Sequence, residues 1–196
     1  MQLIKNMINF HPSHICEVGT YTPDNLHCQD FIQNVSHTEF SLVDANPNCI
    51  QQLKSQYNDR SDVNIFNYAI ADYSGKINLY NRWSGPDASA FIEGLPHSPS
   101  IINDGYNKLD RDIIVCDCIT FDKIDTGDID LLFIDIEGAE WFVIKNMISR
   151  PKIISIETHG QKYINPFMNE INDWMLQNKY ITVGHDNTDT FYAKND

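Results

Sequence analysis

Five short apolar runs recur along the chain, and most are followed by stretches whose apolar residues repeat at helical spacing. The first run, His14–Val18, enters Gly19, and in residues 26–35 that follow, Cys28, Phe31, Ile32 and Val35 are spaced as the buried stripe of a helix. The second, Glu39–Asp44, breaks at Asn46-Pro47, and Ile50, Leu53 and Tyr57 continue with the same spacing. A third strand is expected over residues 63–68. The turn Asp72-Tyr73-Ser74-Gly75 then leads to a further strand over 76–80. Residues 130–135 (DLLFID) are apolar until the closing acid, as in a strand buried on both faces, and a helix over 139–148 and a strand over 152–157 follow. Phe167, Ile171, Trp174 and Met175 mark one more helix face, and residues 180–183 and 190–193 flank a polar turn as an antiparallel hairpin. Repeated strand-helix units imply an α/β fold with a mostly parallel sheet and helices on both faces. Only the closing hairpin is expected to add an antiparallel strand.

At 196 residues the chain has the length of a single domain over 1–196. Residues 81–112 interrupt the periodicity with three prolines and three glycines, which predicts a long loop or lid before a strand resumes at 113–116. No apolar run reaches the length of a bilayer helix, and the N-terminal residues lack the pattern of a signal peptide, so no membrane association and a cytoplasmic location are expected. Five scattered cysteines fit reduced core thiols. Cys116-x-Cys118 is half a metal site without a second pair, so no metal is expected from it, although acids at strand ends could recruit one to a sugar diol. The formal charge of −13, with 14 basic residues spread along the chain, argues against nucleic acid as a partner.

In parallel sheets ligands bind beyond the carboxyl ends of the strands, near the reversal of strand order. Four of the five strand ends here carry an acid: Glu17 before Gly19, Asp44 before Ala45-Asn46, Asp135 with Glu137, and Glu157 before His159. The remaining one reads Tyr68-Ala69-Ile70. A dinucleotide site needs several glycines in the first turn, but here Gly19 is followed by Thr20, Tyr21, Thr22 and Pro23, and Glu17 would repel phosphate. A ligand with a ribose and a positive centre suits such ends better, because Asp44 can accept both ribose hydroxyls. S-adenosylmethionine has both features.

Six segments in order, "CEVGTYTPD", "FSLVDANP", "NYAIADYSGKINLY", "CDCITFDKI", "DLLFIDIEGAEWFVIKNM" and "PKIISIETHG", resemble the FkbM family of S-adenosylmethionine-dependent methyltransferases. The resemblance implies a Rossmann-like class I fold with a seven-stranded sheet. It also implies O-methylation of a hydroxyl on a sugar, a glycan or another small acceptor. The expected cofactor residues are Glu17, Gly19, Thr20, Tyr21, Asp44, Ala45, Asn46, Ala69, Ile70 and Asp135. Asp135 is expected to orient cofactor or acceptor, with His159 or Glu137 as the proton acceptor. Trp83, Ser89 and Tyr106 in the long loop are acceptor-site candidates. The family's first turn usually carries a second glycine, which Thr20-Tyr21-Thr22-Pro23 replaces here. Two rival readings are a non-catalytic binding or assembly module that keeps the fold and a nucleotide-dependent oxidoreductase. The altered turn favours the first, and the missing glycines count against the second.

Overall fold

A computed structural model of the chain describes residues 10–81, 90–92, 113–160 and 162–195. Trp83, Ser89, Tyr106 and most of the expected loop at 81–112 lie outside them. The main sheet has seven strands in the order β10-β11-β9-β8-β1-β2-β3. Strands β1 (His14–Val18), β2 (Glu39–Asp44), β3 (Val63–Asn67), β8 (Leu131–Ile134) and β9 (Ile153–Glu157) are parallel. The last two, β10 (Tyr180–His185) and β11 (Asp189–Lys194), are antiparallel, and β11 is inserted between β9 and β10. Both faces are covered because the strands alternate. Ile15, Leu42, Leu131 and Phe133 pack under α1 (Gln29–Asn34) and α2 (Pro47–Gln56), while Cys16, Val18, Val43, Leu132 and Ile134 pack under α3 (Glu140–Ile144) and α4 (Met168–Gln177).

The helices are held by local chemistry as much as by the sheet. Helix α2 begins where the sequence breaks: Asn46 caps it through Oδ1, which accepts from the Asn48 N–H at 3.0 Å, and Pro47 takes the first position, where no N–H is needed. Helix α1 is shorter than its apolar spacing predicts, because the chain from Pro23 to Asn25 forms a tight 3-10 turn and the helix starts only at Gln29.

A second sheet corrects the expectation that only the terminal hairpin would be antiparallel. It runs β4-β7-β5-β6, with β5 (Gly75–Asn81) antiparallel to both β6 (Ala90–Ile92) and β7 (Ile113–Ile119), and β4 (Ala69–Ile70) parallel to β7. Strand β6 falls within the stretch expected to be loop. Ala69, Ala71, Ile77, Leu79 and Cys118 form a small core of their own, and Cys116 packs against it, as expected of reduced thiols. No helix among the described residues is long and apolar enough to cross a membrane.

Candidate functional site

Strand order reverses between β1 and β8, since β1 leads outward through β2 to β3 on one side while β8 and β9 lie on the other. The carboxyl ends of β1, β2 and β8 border a cavity of about 200 Å³. Gly19 closes β1, and its N–H donates to the Val43 carbonyl at 2.9 Å, while the Asp135 N–H donates to the Val18 carbonyl at 3.0 Å. Gly19 has φ +90°, and a Cβ there would stand 1.7 Å from the Asp135 carbonyl oxygen. Only glycine fits this approach of β1 to β8.

Asp44, at the end of β2, ties two turns together. Its Oδ2 accepts from the Tyr21 N–H at 2.8 Å and the Thr20 hydroxyl at 3.3 Å, and its Oδ1 accepts from the Asn46 N–H at 2.7 Å. These bonds hold Tyr21 in a left-handed conformation with φ 54°. Burial raises the Asp44 pKa above its ordinary value, and the hydrogen bonds from Asn46, Tyr21 and Thr20 oppose the rise.

The segment Asp135-Ile136-Glu137-Gly138 turns sharply after β8, with φ 56° at Glu137 and φ 99° at Gly138. Glu140, 0% exposed, reaches back into that turn: Oε1 accepts from the Ile136 and Gly138 N–H groups at 3.0 and 3.1 Å, and Oε2 accepts from the Asn165 side-chain amide. Burial pushes Glu140 up to about 7 in spite of these donors. Asp135, Glu140 and Glu157 each offer a carboxylate oxygen, and the three lie within 4.8 Å of one another. Burial raises Asp135 well above the ordinary range, Glu137, Asp189 and Glu140 add to the rise, and a hydrogen bond with Glu157 opposes it. Burial, and then Asp135 and Glu140, raise Glu157 in the same way.

Among the expected cofactor residues, Gly19, Tyr21, Asp44, Ala45, Asn46, Ala69, Ile70 and Asp135 line the cavity, and so does Glu137. Thr20 acts from behind through Asp44. Glu17 is not brought to the cavity: it is 1% exposed and accepts from the His27 and Cys28 N–H groups, both at 2.9 Å, between β1 and the approach to α1. His159 is also held elsewhere. Its Nε2 donates to the Asp186 carbonyl at 3.0 Å, which leaves Nδ1 to accept from the Thr158 hydroxyl at 2.9 Å, so neither ring nitrogen faces the cavity as a free base. His27 and Cys49 line the cavity without having been singled out, Cys49 because it lies in the first turn of α2.

Glu17 gives a pH-dependent prediction. Burial raises its pKa, so the folded chain holds a proton that the unfolded chain releases at lower pH. This part of the stability is therefore present below the ordinary carboxylate range and falls as pH rises through the raised value. Glu17→Gln is expected to flatten the stability loss as pH rises above the ordinary carboxylate range, read from urea denaturation at several pH values.

The model of the methyltransferase FkbM domain matches residues 17–182. The chain belongs to the FkbM methyltransferase family. Among solved structures it is similar to a methyltransferase FkbM from Methylobacillus flagellatus KT, with 12% identity and a TM-score of 0.60 over 95% of this chain and 45% of that one. The chain thus spans less than half of that neighbour's length. It also matches a putative methylase from Haemophilus influenzae at 11% identity and TM-score 0.49, over 100% of this chain and 86% of that one. A precorrin-6y C5,15-methyltransferase from Geobacter metallireducens GS-15 matches at 11% identity and TM-score 0.47, over 97% and 86%. No curated protein matches the chain in sequence. For this FkbM-family chain, the match begins at Glu17, so the strand ends that form the cavity lie inside the family's own domain.

Proposed function

We propose that this chain is an S-adenosylmethionine-dependent methyltransferase acting on a hydroxyl of a small-molecule or glycan acceptor. One observation carries the reading: among the described residues, the cavity lining holds three carboxylates, Asp44, Asp135 and Glu137, and no lysine or arginine. Such a lining disfavours a pyrophosphate and favours hydroxyl donors and a positive centre. When bound, S-adenosylmethionine supplies an electrophilic methyl on a sulfonium. Asp44 would accept the ribose hydroxyls with the lone pairs left over from its three donors, and Val43, Ala69 and Ile70 offer apolar surface to a purine. Glycine at position 19 lets the turn follow the cofactor without a side chain in the way. Methylation of a hydroxyl releases a proton, which we assign to the Glu137 carboxylate, because Glu137 lines the cavity and His159 does not. Asp135 would orient the acceptor.

Calorimetric titration with S-adenosylmethionine and S-adenosylhomocysteine tests this. The wild type is expected to bind both. Asp44→Asn should weaken binding at least tenfold, or about 1.5–3 kcal/mol, because a charged acceptor is lost while the turn keeps one of its oxygens. Wild-type affinity should also fall as pH is lowered through the raised pKa of Asp44, since the proton removes the acceptor charge. Wild-type protein that is folded but binds neither compound would overturn the reading.

A further inference from the structure

The carboxylates behind the cavity floor raise a question that the cofactor does not answer. Asp135, Glu140 and Glu157 converge within 4.8 Å, and Glu140 is the only one of them with three donors recorded on its oxygens. The contact between Asp135 and Glu157 is a hydrogen bond only while one of them holds a proton. Glu157 Oε2 is buried and has no hydrogen-bond partner. A second orphan lies in the loop that follows β9. Tyr163 is 1% exposed, and its hydroxyl is buried without a hydrogen-bond partner. Its loop is folded over the cluster, because Asn165, two residues on, donates to Glu140 and its N–H to the Thr158 carbonyl. After burial, the charges of Glu140, Glu157, Glu137 and Asp135 are what raise the Tyr163 hydroxyl, so the hydroxyl sits in the field of the cluster.

An unpartnered acceptor and an unpartnered donor that do not bond each other call for a third group. It must be positive towards the carboxylates and present a lone pair to the hydroxyl. A hydrated cation has both properties, and an all-oxygen donor set suits a hard divalent ion. We propose that Asp135, Glu140 and Glu157 bind a hard divalent cation of the Mg²⁺ or Mn²⁺ kind, with the Tyr163 hydroxyl donating to one of its waters. Asp135 is the member that also lines the cavity, so the ion borders the space left for the acceptor. There it would hold an acceptor oxygen and lower the pKa of its hydroxyl. That use of the ion rests on the methyltransferase reading above, whereas its binding does not.

The test is titration of the full chain with Mn²⁺, following loss of the free-ion electron paramagnetic resonance signal. S-adenosylmethionine binding is measured by calorimetry on the same preparation. One saturable Mn²⁺ per chain is expected above the weak background of an acidic surface, and Mg²⁺ should compete for it. Glu157→Gln should abolish the saturable site, Tyr163→Phe should weaken it by about tenfold as the loss of an outer partner, and Glu170→Gln, an exposed acid on α4, should leave it unchanged. Thermal melts identify any variant that fails to fold, and Tyr163→Phe, which removes a single oxygen, keeps the test open if Glu157→Gln does not fold. Uptake that never saturates, or saturable uptake that Glu157→Gln and Tyr163→Phe leave unchanged, would overturn the proposal in favour of a proton shared by Asp135 and Glu157. A Glu157-dependent Mn²⁺ site in protein that ignores S-adenosylmethionine would sustain the cation site and remove the cofactor reading instead.

Discussion

Gly19→Ala is expected to destabilise the chain by about 3–5 kcal/mol and to abolish cofactor binding in whatever fraction remains folded. The added methyl would meet the Asp135 carbonyl oxygen at 1.7 Å, its carbon at 2.7 Å and the Ile136 Cγ2 at 3.0 Å. Backbone, not a flexible side-chain tip, would have to move. The φ of +90° adds the strain of a conformation that side chains disfavour. Relief requires the ends of β1 and β8 to separate, and that breaks the bond from the Asp135 N–H to the Val18 carbonyl on which the cavity floor depends. Urea denaturation measures the first effect and calorimetry the second. A stable variant with unchanged affinity would mean that the strand ends are far softer than their spacing implies.

Glu140→Ala is the second large effect. It leaves the Ile136 and Gly138 N–H groups without their acceptor and the Asn165 amide with only the Glu157 carbonyl at 3.4 Å, around a side chain that is 0% exposed. Each orphaned donor costs about 1–3 kcal/mol, so a total of about 3–5 kcal/mol is expected after partial relaxation. Glu140→Gln keeps the volume and one acceptor oxygen and should cost about half as much. The order Ala worse than Gln, read from denaturation midpoints, separates lost hydrogen bonds from lost charge. Equal effects would assign the role to charge alone.

Particular residues show what could be read from the chain beforehand. The bounds of β1 and β2 and the start of α2 were legible, because alternation, Gly19 and Asn46-Pro47 are local signals. The cavity residues at the ends of β1, β2 and β8 followed from the same pattern. Glu17 shows the limit of reading an acid before a glycine as a ligand contact. Alternation places residue 17 on the face of Ile15, beneath Leu26 and Cys28, and its carboxylate serves the N–H groups at the approach to α1. The second sheet was not legible. Strand β7 is half exposed, β6 has three residues, and the pairing of Tyr80 with Ile113 joins segments whose separation leaves no trace in local periodicity. Tyr163 was invisible for a similar reason: nothing in the loop between β9 and α4 marks one ring as buried with its hydroxyl unpartnered.

The placement of β11 between β9 and β10 bears on how the molecule is built as it is synthesised. Strand β10 is translated first, yet among the described residues its only sheet partner is β11, which emerges later. Until Asp189–Lys194 has left the ribosome, the nascent chain presents the open side of β9 and a loose β10 that could pair with it directly. The bond from the Ser155 hydroxyl to Asp189 Oδ2, at 2.7 Å, forms only with β11 seated beside β9. Translation order and sheet order therefore run in opposite senses here, and β10 joins the sheet through β11.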